Sequence, residues 1–321
     1  MHVLVAGGAG FIGSHLCRSL VDGGHNVVCL DNLITGRREN LTGLEGRRGF
    51  SFVEADVQSA PETPADLIVH LASPASPVHY QVHPVETMLA NSIGTKRLLD
   101  ISAATGARFV FASTSEVYGD PLEHPQRETY WGNVNPNGPR ACYDESKRFG
   151  EALTMEYCRT RGVNAGIVRI FNTYGPRMNL RDGRVVPAFI AAALAGEPLP
   201  LHGDGSQTRS FCYVSDLVAG LLHVAFDRGA EGEVFNLGNP HEISMRDLAR
   251  EISRLTAVEC RVMYLPRGQD DPERRRPDIS KLRDRYGWHP RVSLTDGLRE
   301  TLAFFRQREE RVTPQPVEAT P

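Results

Sequence analysis

Seven residues near the start of the chain, Gly7-Gly8-Ala9-Gly10-Phe11-Ile12-Gly13, restrict its fold more than any other feature. They follow the apolar run His2-Val3-Leu4-Val5-Ala6 and lead into a helical pattern, so they must carry the chain from strand to helix in one tight turn. Glycine at 7 permits the turn, glycine at 10 lets a ligand approach the backbone, and glycine at 13 lets helix and strand pack closely. The helix then begins with unpaired N–H groups and a partial positive charge, which together receive phosphate. Asp31 ends the second apolar run about twenty residues further on, where it accepts hydrogen bonds from ribose hydroxyls. These features predict a dinucleotide site.

Asp31 also selects the dinucleotide, because its charge repels the extra phosphate of NADP. Asn32 stands where an arginine would favour NADP, and only Arg37 and Arg38 point the other way, so the cofactor expected is NAD. Asp56 and Val57, after the third apolar run, are placed to reach adenine. Apolar runs at 2–6, 26–30, 50–54, 66–71, 107–112 and 165–170 predict strands, with helices between them at about 11–22, 84–105 and 141–161. Such alternation implies parallel strands joined by helical crossovers, and runs such as Phe109-Val110-Phe111-Ala112 fit a sheet buried on both faces. The fold class expected is α/β, a Rossmann-type doubly wound parallel sheet with a smaller, discontinuous C-terminal substrate-binding region.

After Phe171 the pattern loosens into prolines and polar loops, with helices near 184–196, 214–227, 244–256 and 294–307. The expected division is an NAD-binding domain over 1–171 with a returning segment at about 206–238. Residues 172–205 and 239–305 bind substrate, and 306–321 form a disordered tail. A chain of 321 residues with 36 Lys and Arg against 39 Asp and Glu has no basic half, which argues against a nucleic-acid partner. No apolar stretch approaches the roughly 20 residues of a membrane span. Six cysteines without a CxxC pair read as reduced thiols, and with no signal-like N-terminus the protein is expected in the cytoplasm. His79 and His83 are four apart but lack a third ligand, so no metal is expected.

Tyr143 and Lys147 share one face of a helix, and a nearby ammonium is expected to lower the phenol's pKa and make it a better base. Ser113-Thr114-Ser115-Glu116 follows the fifth strand at the carboxyl edge of the sheet, where α/β ligands bind. Thr114, Tyr143 and Lys147 together read as a hydride-transfer site.

The stretches GGAGFIGSH (7–15), DNLITG (31–36), HLASPASP (70–77), ASTSEVYGDP (112–121), GPRACYDESKR (138–148), RIFNTYGPRM (169–178) and DDPERRRPDI (270–279) resemble the extended short-chain dehydrogenase/reductases. Among these they are most similar to the UDP-glucuronate decarboxylases, and the match covers about 1–305. The resemblance implies NAD held by Gly7, Gly10, Phe11, Ile12, Gly13, Asp31, Asn32, Thr35, Gly36, Asp56, Val57, Leu71, Tyr143, Lys147, Thr173 and Arg184. It implies a UDP-sugar held by Asn172, Arg209 and Arg275, with Thr114, Ser115, Glu116, Tyr143, Lys147 and Arg275 in catalysis.

The expected reaction oxidises C4, releases carbon dioxide from the resulting β-keto acid, and reduces C4 again to give UDP-xylose. Ser115 stands where related 4,6-dehydratases carry an aspartic acid, which disfavours elimination, and Glu116 stands where simple epimerases carry small residues. The alternatives are a UDP-glucuronate 4-epimerase, an oxidative decarboxylase or apiose-type synthase, and a non-catalytic NAD-sensing scaffold. The resemblance also implies a homodimer through the helices at 84–105 and 141–161. Arg274 and Arg276 read as a solvated rim.

Overall fold

The computed structural model describes residues 1–257, 259–267 and 272–312. Strand β1 (His2–Ala6) runs into α1 (Phe11–Asp22), followed by β2 (Asn26–Asp31), β3 (Phe50–Glu54) and β4 (Leu67–His70). Helices α2 (Pro77–Val82), α3 (Pro84–Leu89) and α4 (Thr95–Thr105) lead to β5 (Arg108–Thr114), and α5 (Ala141–Arg161) leads to β6 (Ala165–Ile170). Next come β7 (Thr173–Tyr174), α6 (Val185–Leu194), β8 (Leu199–His202), β9 (Thr208–Ser210), β10 (Cys212–Tyr213), α7 (Val214–Phe226) and β11 (Glu233–Leu237). The chain closes with β12 (Glu242–Ser244), α8 (Met245–Thr256), β13 (Val262–Leu265), β14 (Arg274–Arg275), α9 (Ser280–Tyr286) and α10 (Leu294–Val312).

The central sheet has seven strands, all parallel, in the order β11-β6-β5-β4-β1-β2-β3. The inner strands are apolar through their middles because alternate side chains enter two different cores, and their polar residues fall at or near the strand ends. Val3, Val5, Val110 and Val168 pack with Leu16 and Leu20 of α1 and Leu217 and Leu221 of α7. Leu4, Ala6, Phe109, Phe111 and Ile167 face the other way, onto Leu98 and Ile101 of α4 and Tyr157 of α5. Each such side chain stabilises the fold by roughly 1.5–3 kcal/mol, so neither face of the sheet can open to water. The chain order reverses direction between β1 and β4, and the loops leaving their carboxyl ends diverge there to open a crevice.

Beyond the sheet, β9 lies between β12 and β14, and β8 pairs with β13. Helix α6 packs against β8, and α8 against β8 and β12. Pro200, His202, Gln207, Arg209 and Arg275 of this layer line the crevice.

The structure departs from the sequence reading in three places. The helix expected over 84–105 is broken by one widened turn, Ala90–Gly94, between α3 and α4. That turn presents the Ala90 carbonyl to the buried His70 ring, whose Nε2 lies 3.2 Å away and 3.1 Å from Thr95 Oγ1. The central sheet has a further strand, β11, which polar Glu233 and Asn236 disguise. Asn236 is fully buried because Tyr118 Oη donates to its Oδ1 (2.7 Å) and its Nδ2 donates to Gln126 O (3.0 Å). Finally, α10 continues to Val312, so 306–312 are helix rather than tail, anchored by buried Leu298, Leu302 and Phe305 upstream. Residues 313–321 lie outside the described residues, as do Asp270 and Asp271 of the 270–279 motif.

Candidate active site

The turn after β1 works as its glycines predict. A methyl group on Gly13 would sit 2.1 Å from Gly7 O, so only glycine lets α1 start this close to the strand. Asp31 is buried at the end of β2, with Oδ2 accepting from Ala9 N (3.0 Å) and Oδ1 from Leu33 N (2.9 Å). Burial pushes its carboxyl up, and those N–H donors pull it back. A side chain on Gly36 would lie 2.6 Å from the same carboxylate, so glycine keeps that approach open. Asn32 donates to Asp56 Oδ2 (2.8 Å), tying the ends of β2 and β3 together. Gly7, Gly10, Asp31, Thr35, Asp56 and Val57 line one small recess of about 60 Å³. Arg38 is turned away onto Glu45 (2.9 Å). This is a shape and charge that fit NAD.

Leu71 joins that recess to a larger cleft of about 700 Å³, into which Ile12, Thr114, Ser115, Tyr143, Lys147 and Thr173 all project. Helix α5 lays Tyr143 and Lys147 along the carboxyl end of β5. The Thr114 hydroxyl hydrogen-bonds the Tyr143 phenol, and the Tyr80 ring lies parallel to it with centroids 5.2 Å apart. Lys147 is buried, donates from Nζ to Ala112 O (2.8 Å), and sits 5.9 Å from the Tyr143 ring.

The expected lowering of the Tyr143 pKa by Lys147 does not occur in the protein alone. Burial pushes the phenol above its ordinary value, and the Thr114 hydrogen bond only partly offsets this. Burial likewise brings Lys147 down to about 7, with Glu151 pulling the other way, so the ammonium expected to activate the phenol is itself only partly charged at neutral pH.

At the far wall, Glu116 on the turn after β5 is gripped from two sides. Arg275 Nη1 from β14 donates to Oε1, and Arg140 Nη2 donates to Oε2 at 2.5 Å. Burial pushes the carboxyl up, but the two guanidinium groups outweigh it and hold it at about 2. Asp144, one turn into α5, is buried with Oδ1 unpartnered among the described residues, and burial followed by the Glu116 charge raises it to about 7. Arg275 reaches this wall because β14 pairs with β9 in the register that sets it beside Arg209.

A profile of the NAD dependent epimerase/dehydratase family matches residues 3–238. The chain belongs to that family. Over 308 residues it is 50 % identical to UDP-glucuronic acid decarboxylase 1 of Arabidopsis thaliana, covering 96 % of this chain and 70 % of the plant protein. It is 48 % identical to UDP-glucuronic acid decarboxylase 1 of Danio rerio, covering 96 % of this chain and 73 % of the fish protein. Among solved structures it superposes on dTDP-glucose 4,6-dehydratase of Streptomyces venezuelae, with NAD bound, at TM-score 0.88. That match is 30 % identical and covers 97 % of this chain and 98 % of that one. It also superposes on UDP-glucuronic acid 4-epimerase of Bacillus cereus, in complex with UDP-glucuronic acid and NAD, at TM-score 0.87. Identity there is 28 %, over 96 % of this chain and all of the other.

Within this family member the structure brings together residues far apart in sequence. Asn172, Thr173, Arg184, Arg209 and Arg275 line the same cleft as Thr114 and Tyr143. Arg184 is half-engaged, its Nε donating to Asp182 Oδ2 (2.8 Å) while its guanidinium lies 6.0 Å from the Phe11 ring. The Phe11 ring packs edge-on against His15, with the Arg184 guanidinium over its face. Of the two rim arginines, Arg274 is exposed, whereas Arg276 is partly enclosed near Glu242 (3.8 Å). Sequence reasoning missed Arg140, Tyr80 and Asp144. Arg140 precedes Tyr143 by three residues, a helical spacing that could have marked it; nothing local marks Tyr80 as the ring beneath Tyr143.

Proposed function

We propose that the protein converts UDP-glucuronate to UDP-xylose and carbon dioxide. The observation that carries this reading is one cleft in which a Thr114–Tyr143–Lys147 set faces a wall of buried positive charge around Glu116. NAD, when bound, supplies the two-electron oxidation at C4 of the sugar and its reversal. Tyr143 takes the proton of the 4-hydroxyl, oriented by Thr114. The C5 carboxylate is then β to a ketone. As the bond between C5 and the carboxyl carbon breaks, its electron pair moves into an enolate whose oxygen Tyr143 and Thr114 stabilise by hydrogen bonds. A proton then adds at C5. Glu116, held at about 2, remains a carboxylate throughout and serves to fix the arginines rather than to deliver that proton. Ser115 is buried beside it and has no acidity to drive elimination.

The similarity to the Arabidopsis and zebrafish decarboxylases supports the same reading. A second reading, UDP-glucuronate 4-epimerase, draws on the Bacillus cereus neighbour. Incubation with UDP-glucuronate and NAD, followed by mass spectrometry, separates them: the decarboxylase gives a sugar nucleotide lighter by carbon dioxide without NADH accumulation. An unchanged mass would sink the main reading. A 4-keto pentose with NADH build-up would point to an oxidative decarboxylase. Tyr143→Phe is expected to abolish turnover and leave NAD binding intact.

The proposal includes a homodimer. Val82, Val85, Met88 and Phe149 are apolar and exposed on or beside α2, α3 and α5, and such a patch calls for a covering surface. A second copy, placing the same helices against these, would form a four-helix contact.

A further inference from the structure

Arg184 stands where two parts of the chain meet. It caps the start of α6, yet its guanidinium carbon lies 6.0 Å from the ring of Phe11, the first residue of α1. That end of α1 carries the unpaired N–H groups that receive phosphate. Burial raises the Tyr143 phenol, and Arg184 is among the charges that pull it back, so the same guanidinium also acts on the reacting end of the cleft. It lies between the two ends of the path that a bound dinucleotide must follow.

Arg184 is not free to rotate. Asp182 Oδ2 accepts from its Nε (2.8 Å) and its Nη2 (2.5 Å), and Asp182 Oδ1 accepts from its backbone N–H (3.0 Å). Nη1 has no partner among the described residues, and Arg184 lines the cleft. The Asp182 side chain is 2 % exposed against 32 % for Arg184, so the carboxylate is the fixed member of the pair. The turn that carries it is fixed in its own right. Arg181 N donates to Asn179 Oδ1 (3.0 Å) and Asp182 N to Asn179 O (3.3 Å). A methyl group on Gly183, at φ +77°, would lie 2.6 Å from Val78 Cγ2, so the turn rests directly on α2. An arginine held in this way offers its remaining nitrogen already oriented, and a ligand need not order it on binding.

We infer that Asp182 is a positioning residue for the cofactor: it fixes Arg184 so that Nη1 meets the diphosphate of NAD(H), and so holds the dinucleotide in place until C4 is reduced. The link to C4 rests on the UDP-glucuronate reading above, in which loss of NADH at the ketone stage would free a 4-keto pentose. The link to NAD(H) does not depend on that reading.

The test follows NADH dissociation by fluorescence from the wild type, Asp182→Asn, Arg184→Met and the double variant. Asp182→Asn removes a negative charge beside a diphosphate site, which by charge alone would slow release; faster release therefore reports lost positioning. The expected result is release about 5- to 10-fold faster in Asp182→Asn, and at least as fast in Arg184→Met. The double variant is expected to be no faster than Arg184→Met, because Asp182 acts through that guanidinium. Release unchanged or slowed in Asp182→Asn would overturn the inference, and so would effects that simply add in the double variant. Calorimetric binding of UDP, changed less than about 3-fold, reports that Asp182→Asn is folded; parallel loss of UDP binding would mean a structural role only and equally overturn it. On UDP-glucuronate, Asp182→Asn is expected to release several-fold more 4-keto pentose and NADH per UDP-xylose than the wild type. If the wild type forms no UDP-xylose, the substrate reading fails, while the dissociation rates still decide the role of Asp182.

Discussion

Replacing Glu116 by glutamine keeps the shape of the side chain but removes the negative charge from between Arg140 and Arg275. Removing one partner of a buried ion pair ordinarily costs about 3–5 kcal/mol, because the other charge is left uncompensated. Here a second carboxylate stands nearby. In the native protein Asp144 is held up at about 7 by burial and then by Glu116, while Arg140 and Arg275 pull it down. Once Glu116 is neutral, its repulsion disappears and only burial and Glu145 still oppose the arginines, so Asp144 ionises more readily and replaces part of the lost charge. Each pKa unit recovered is about 1.4 kcal/mol, so the net cost of Glu116→Gln should fall to about 2–3 kcal/mol.

The double variant Glu116→Gln/Asp144→Asn has no such replacement, and should exceed the sum of the singles by at least about 1 kcal/mol. Urea unfolding of the four proteins at pH 6, where Asp144 is mostly protonated in the native protein, measures this coupling. Additivity within about 0.5 kcal/mol would refute the compensation argument. The pH dependence has a definite sign. Glu116 lies below its ordinary 4.5, so its contribution is full above that pH and is lost as the pH falls towards 2. The stability gap between wild type and Glu116→Gln should therefore close across that window.

Gly13→Ala forces a methyl group to within 2.1 Å of Gly7 O, so α1 must retreat by roughly 1 Å; a cost of about 1–3 kcal/mol in stability is expected. NAD affinity should fall at least tenfold, and a variant that binds NAD as wild type by calorimetry would contradict the close-packing argument. The double variant Met88→Glu/Phe149→Glu places charge on the exposed apolar face of α3 and α5. Light scattering is expected to give the mass of a monomer for it and of a dimer for wild type; a monomeric wild type would remove the homodimer proposal.

Local periodicity and turn chemistry made much of this protein legible from its residues. The strand–turn–helix at 2–22, the parallel sheet and the shared face of Tyr143 and Lys147 each depend on spacings within a few residues, which the chain carries wherever it folds. Asp31 was legible for the same reason, because it closes a strand next to the glycine turn. Other features needed the assembled molecule. Glu116 and Arg275 are 159 residues apart and meet only because β14 pairs beside β9. Asn236 finds its partners only in the folded molecule, on Tyr118 and Gln126, so β11 was not among the strands that apolar runs predict. The direction of the Tyr143 shift was also decided by tertiary structure: spacing placed Lys147 within reach, but burial, which no spacing reveals, raised the phenol and lowered the lysine together. Sequence determined which groups share an element; packing determined which groups share a dielectric, and with it their charge.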